Sequence, residues 1–424
     1  MKTLGLVLVI LCACQENNPN YCKGAPDNNC TLGSGSGTDS GAAACTSSAQ
    51  CSGATPVCDT SSSTCVACMG SDLGACAGTM PVCGTDNTCQ ACSKHSDCGA
   101  MGACLPTGAC GTDQDTAWVS GTGSNDNACT QEAPCATITQ ALTHGLPYVK
   151  VSGAIHDTVS IAAGVTILAD PGATLDPGNG GALVTVTATE PVEIDDLTIE
   201  YAGSSTGIGV YLPAGAQNVK LLRVTVQDNP GGGVYAIGGT ITILRSVISS
   251  NSGGGITLNG ASFDIENCFI VGNGSSSTTS STGGLAIQSL GAMPYTVQFD
   301  TFADNKIKSG LGGAITCGTL GATIALDSLL IFGNESVTNT SEVLGGDCSY
   351  TYTLIGPTGT ASGTGDNNIT DPGFVTASPP NYHITSGSPA KDMADRNSTL
   401  ANDIDGDMRP FDSIRDVGAD EYTQ

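Results

Sequence analysis

Three aspartates near the C-terminus, Asp403, Asp405 and Asp407, stand at the one-three-five spacing with which a loop offers carboxylates to calcium. Gly406 is misplaced for an EF-hand, and no glutamate stands at the distal ligand position. An acidic turn therefore competes with calcium: Asp403 to Pro410 would fold back on the preceding structure, with Arg409 pairing one of the carboxylates. A second set is basic. Arg223 and Arg245 occupy the same slot of a repeated segment, so they are expected to project outward side by side, with Asp228 and Glu266 the nearest carboxylates by register. Such a set would bind an anionic group or supply a base, against the plainer reading of a solvated surface pair. Asp195-Asp196 is an isolated carboxylate pair, and His95, His144, His156 and His383 lie in settings that offer no catalytic partner. No residue is assigned a catalytic role on this basis.

Of the 21 cysteines, all but five lie before residue 115. Cys45, Cys51, Cys58 and Cys65 are followed by Cys68, Cys76, Cys83 and Cys89, then by Cys92, Cys98, Cys104 and Cys110, three four-cysteine units at a step of about 23 residues. The first two units share Pro-Val-Cys at 56–58 and 81–83, and the third is degenerate. CxxC pairs such as Cys65/Cys68 and Cys89/Cys92 raise zinc or redox chemistry, but only His95 is near and the pairs straddle unit boundaries. Two disulfides per unit are expected instead. Segments this poor in large apolar residues cannot offset chain entropy by burial, whereas each crosslink restrains the unfolded chain by roughly 2–4 kcal/mol. Four cysteines allow three connectivities, so the pairing within a unit stays open. Cys129 and Cys135 are expected to pair, as are Cys22 and Cys30.

The elements that position these groups must be strands. Only 12% of residues are charged and 4% aromatic, while glycine numbers 58, so the core has to come from small and β-branched residues. A short amphipathic helix is expected at Ala136 to Leu142, and beyond it helix is nearly absent. Val224-Thr225-Val226-Gln227-Asp228-Asn229, Ser246-Val247-Ile248-Ser249-Ser250-Asn251 and Cys268-Phe269-Ile270-Val271-Gly272-Asn273 align at a step of about 22 residues, with related segments ending at Asn305 and Asn334. A helix-free repeat of this length is a solenoid whose turns stack at about 4.8 Å. Val224, Val226, Ile248 and Ile270 should point inward, with Cys268 a buried, inert thiol in the slot of Val224. Each asparagine is expected to take the left-handed conformation at a bend and to hydrogen-bond the asparagine of the next turn. The expected organisation is a flexible tether over 14–44, disulfide repeats over 45–112, the solenoid over 113–370 and a closing segment over 371–424. The repeats are expected to form a stalk that unfolds independently of the solenoid. A net charge of -26 disfavours nucleic acid, and a monomer is expected.

The N-terminus, Met1-Lys2-Thr3 followed by an apolar run ending in Leu11-Cys12-Ala13-Cys14, resembles a bacterial lipoprotein signal. The resemblance implies a signal peptide over 1–13 and a lipid on Cys14 that anchors the chain to membrane. Gln15 in place of aspartate leans toward the outer membrane or cell surface. The repeats resemble the all-β, right-handed parallel β-helix of the pectin-lyase-like superfamily, with Pro134 to Leu142 as its N-terminal cap. The segments Gly387 to Asp392, Asp403 to Pro410 and Asp416 to Tyr422 resemble the closing segment of bacterial choice-of-anchor-Q proteins. Hydrolases of the superfamily carry NTD and Gly-His-Gly motifs that are missing here, and lyases need convergent basic groups. The resemblance therefore implies a binding or surface-structural protein recognising polysaccharide or another cell-surface component, rather than an enzyme. The alternative is a polysaccharide lyase or glycoside hydrolase with a reduced site.

Overall fold

The computed structural model describes residues 44–70, 72–176, 182–200, 206–276, 282–307, 312–336, 342–359 and 363–423. Cys14, and with it Cys12, Cys22 and Cys30, lies outside the described residues. The chain divides into two compact units, Met1–Val66 and Ala67–Gln424. In the first, Cys45–Cys58 and Cys51–Cys65 clasp a small hairpin of Val57–Asp59 with Thr64–Val66. In the second, Cys68–Cys83 with Cys76–Cys89, and Cys92–Cys104 with Cys98–Cys110, repeat the same scheme. Every unit joins its first cysteine to its third and its second to its fourth, including the degenerate third.

The rest of the second unit is a parallel β-solenoid of about seven turns. Strands Thr198–Glu200, Thr225–Gln227, Val247–Ser249, Phe269–Val271, Thr301–Ala303, Leu330–Phe332 and Leu354–Gly356 stack in register. Their central residues, Ile199, Val226, Ile248, Ile270, Phe302, Ile331 and Ile355, form one buried column, as the 22-residue alignment requires. Across the core a second parallel sheet alternates in the same way. Val192 and Ile194 point inward between Val165 and Ile167 on one side and Val219 and Leu221 on the other, while Glu193 points outward. Cys268 is a free, fully buried thiol whose Sγ donates to the Ile243 and Glu266 carbonyls.

The asparagines form a continuous ladder. Asn229 Nδ2 donates to Asn251 Oδ1 (2.9 Å), Asn251 to Asn273 (2.9 Å), Asn273 to Asn305 (3.0 Å) and Asn305 to Asn334 (2.8 Å). Each Nδ2 also donates to an inner-strand carbonyl, as Asn251 does to Val226 O (2.9 Å). The ladder ends on Glu342, whose Oε2 accepts from Asn334 Nδ2 at 2.8 Å. Burial pushes the Glu342 carboxyl up to about 7 despite those hydrogen bonds. One expectation is corrected: the left-handed residue is the one before each asparagine, Asp228, Ser250, Gly272, Asp304 or Gly333. The asparagine itself must stay outside that region so that its side chain turns inward along the stack. A second left-handed column, Asp196, Arg223, Arg245, Asn267, Phe299, Ser328 and Tyr352, makes the bend between the two sheets, with φ between 49° and 62°.

The helix forms at Ile138–Leu142, with Thr137 as N-cap accepting from Gln140 N, and buries Ile138 and Ala141 at the start of the solenoid beside the Cys129–Cys135 disulfide. The third cysteine unit is not a free stalk, contrary to expectation. Ala103 and Leu105 are buried with Leu168 and Tyr148 of the solenoid, and Trp118 Nε1 donates to Met101 O at 3.1 Å. The apolar residues of this unit are few, but the outer face of the sheet supplies the rest of a shared core.

The C-terminal segment runs along the flank of the solenoid. Ile404 and Ala419 pack on Phe269, Val271 and Ala303, and Ala390, Ala394 and Val417 pack on Phe299, Leu330 and Leu354. Arg409 is fully buried over the Phe299 ring, donating to Asp416 O and Gly418 O and facing Glu421 at 3.7 Å. Its carboxylate partner is thus Glu421, not one of the three aspartates of the preceding turn. A further disulfide, Cys317–Cys348, joins adjacent turns of the solenoid, beyond those the cysteine spacing predicts.

Candidate functional site

A cleft of about 890 Å³ opens between the third cysteine unit and the outer face of the second sheet. One wall comes from residues 91–96 and 104–108. The other comes from Leu168 to Pro171, Glu193, Asp195, Asp196, Lys220, Leu222 and Arg223. Strand alternation puts these residues there: Val192 and Ile194 fill the core, so Glu193 and Asp195 face out. Register then sets Lys220 beside Glu193 and Leu222 beside Asp195 one turn on.

The cleft is a lattice of ion pairs. Lys220 Nζ contacts Glu193 Oε1 at 2.5 Å. The Arg223 fork grips Asp196 with Nε on Oδ1 and Nη2 on Oδ2, both at 2.7 Å, and Nη2 lies 3.9 Å from Asp195 Oδ2. Beneath the rim, Lys150 is 1% exposed and paired to Asp170. Burial lowers the Lys150 ammonium from its ordinary range, offset by Asp170. Asp195 is pushed up to about 7, first by burial and then by the Glu193 charge, with Arg223 and Lys220 pulling it back. Its Oδ1 has no hydrogen-bond partner among the described residues. His95 lines the same cleft, its Nδ1 accepting from Cys104 N at 3.0 Å, so the ring proton sits on Nε2, toward the Ala169 backbone. Burial, then the Lys150 charge, lowers its pKa.

Of the expected binding residues, the structure brings only Arg223 to this cleft. Arg223 and Arg245 are neighbours in the stack, Arg223 N donating to Leu244 O, but their side chains part. Arg245 Nε reaches Ile404 O (3.3 Å) in the C-terminal segment. Asp228 sits at the opposite end of strand Thr225–Gln227, exposed, and Glu266 is engaged with Gln298. The partner of Arg223 is Asp196, 27 residues earlier. The pair Asp195-Asp196 and the unsupported His95 therefore gain their partners only in the folded chain.

The three aspartates of the calcium spacing face different partners. Asp403 is buried, its Oδ1 accepting from the N–H groups of Asp405, Gly406 and Asp407 and its Oδ2 from Glu421 N. Asp405 Oδ2 lies 2.9 Å from His383 Nε2, and Asp407 Oδ2 meets Thr423 Oγ1 at 3.5 Å.

A coil of parallel turns bearing a polar cleft on its outer face defines the chain as a parallel β-solenoid. Residues 182–337 match the family model described as right handed beta helix region. Among solved structures, a pectate lyase, Pel9A, is similar at 12% identity with a TM-score of 0.49, over 72% of this chain and 96% of that one. No curated protein matches the chain.

Proposed function

We propose that this chain is an exported, lipid-anchored β-helix protein that holds a neutral carbohydrate in the cleft between its third cysteine unit and its solenoid. The carrying observation is charge balance. Four carboxylates, Asp170, Glu193, Asp195 and Asp196, face four basic groups, Lys94, Lys220, Arg223 and the underlying Lys150, in a protein whose net charge is -26. A polyanion would be repelled by the molecule and a polycation drawn to it everywhere. A hydroxyl-rich neutral ligand would find fixed donors and acceptors, with Leu105, Pro106, Leu168, Pro171 and Leu222 against its C–H faces. Export and anchoring rest on the Leu11-Cys12-Ala13-Cys14 run and on the disulfide frameworks, which suit an oxidising compartment.

A glycan array of neutral and acidic oligosaccharides tests this. The expected result is binding to neutral glycans, weakened at least tenfold by Arg223→Gln and untouched by Lys306→Ala at a distant surface pair. Silence on the array, or equal binding by Arg223→Gln, refutes it. A second reading, a glycoside hydrolase or polysaccharide lyase, is favoured by one observation. Asp195 keeps its proton up to about pH 7 beside the ion-paired Asp196, the kind of split environment that serves acid–base cleavage. Product analysis after incubation with the array ligands separates binding from turnover.

A further inference from the structure

The C-terminal segment holds a cluster that the cleft does not use. His383, Asp405 and Asp420 come from three separate stretches of chain, yet offer one imidazole nitrogen and two carboxylate oxygens that all lie within 4.8 Å of one another. We propose that these three residues form a binding site for a divalent transition metal of the zinc class, which ties the C-terminal segment to itself on the flank of the solenoid. This proposal is independent of the carbohydrate reading.

The donor set argues for zinc chemistry over calcium. Calcium takes six to eight oxygens, whereas one imidazole and two carboxylates leave one tetrahedral position open to water. Bonds of about 2.1 Å set ligand atoms roughly 3–3.5 Å apart, so closure needs a movement of about 1 Å, within reach of the half-exposed Asp405. The imidazole is already held as a ligand would be. Asn381 Oδ1 can only accept, so the 2.5 Å contact puts a proton on Nδ1 and directs Nε2 at Asp405, where a metal would take the place of the Nε2 proton. The edge of the ring is fixed against Phe269, with centroids 5.0 Å apart and planes at 84°. Asp420 is 6% exposed, anchored through Oδ2 to Ile384 N at 2.7 Å. An imidazole locked by a second partner and a nearly buried carboxylate turned toward it are costly to assemble for a surface ion pair, whereas a metal rewards both.

The test is calorimetric titration of the full chain, stripped with chelator, with Zn²⁺. The expected result is one saturable site per chain and a raised melting temperature with zinc present. His383→Gln and Asp405→Asn should each weaken binding at least tenfold while leaving the β-sheet circular dichroism unchanged. Asn381→Ala, which frees the ring without removing a ligand, should weaken it about tenfold. Asp407→Asn, outside the cluster, should bind as the parent does. Asp405 is exposed enough that Asp405→Asn decides the matter if His383→Gln fails to fold. No saturable binding, or undiminished binding by Asp405→Asn, overturns the proposal.

Discussion

Replacing Asn251 by alanine probes the ladder at its middle rung. The side chain makes four hydrogen bonds: Oδ1 accepts from Asn229 N (3.0 Å) and Asn229 Nδ2 (2.9 Å), and Nδ2 donates to Val226 O and Asn273 Oδ1, both at 2.9 Å. At about 1 kcal/mol each the loss is about 4 kcal/mol, and the groups left behind are buried where water cannot replace the partner. Asn251→Asp is the sharper companion. It keeps the acceptor for Asn229 but sets a carboxylate oxygen against two other oxygens, so it should cost at least as much. Urea denaturation of both variants gives the stability change, and hydrogen exchange should show the turns on either side of residue 251 opening first, because a solenoid is stabilised between neighbours. Ser252→Ala, next door and exposed, should stay within about 0.5 kcal/mol. A loss below about 1 kcal/mol for Asn251→Ala, or equal losses for all three variants, would refute the ladder as a source of stability.

Ile248→Asp places a charge in the fully buried column and should unfold the central turns, while Thr225→Asp, beside an inward slot, should cost within about 0.5 kcal/mol; thermal melts compare them directly. Asp195 gives a pH signature. Its folded pKa of about 7 lies above the ordinary 3.8, so the unfolded chain loses that proton first and the protein loses stability as pH rises from about 4 to about 7. The difference is on the order of 4 kcal/mol at most, and Asp195→Asn should be more stable than the parent at pH 8 but not at pH 4 in denaturation curves. Reduction of the disulfides should raise hydrogen exchange at Tyr148 and Leu168 as well as in the cysteine units, since Leu105 packs on both; unchanged exchange there would contradict that packing. Mass spectrometry of the mature N-terminus should find lipid on Cys14, and an unmodified start elsewhere would contradict it.

The solenoid was legible because its signal is periodic. A constant step of 22 residues sets Val226, Ile248 and Ile270 in one column, and parallel stacking preserves that order in space. Where the step changes, register fails as a guide: Asp196 precedes Arg223 by 27 residues, so a 22-residue alignment does not pair them and points to Asp228 and Glu266 instead. The cleft depends on Leu105 docking onto Leu168, a contact between a crosslinked unit and a sheet face that no period encodes. His383, Asp405 and Asp420 converge through irregular chain, and only Asp405 belonged to a recognisable spacing. The left-handed residue before each asparagine was misplaced by one position because asparagine is the commoner occupant of that conformation, whereas here its side chain is needed inside.

On the proposed function, the cleft beside Asp195, Asp196 and Arg223 receives a neutral sugar. A crystal structure of the full chain with its tightest array ligand tests it most directly. Sugar hydroxyls are expected within about 3 Å of Glu193, Asp196, Lys220 or Arg223, under the wall of residues 91–96. A ligand bound elsewhere on the solenoid, with this cleft filled only by solvent, would contradict it.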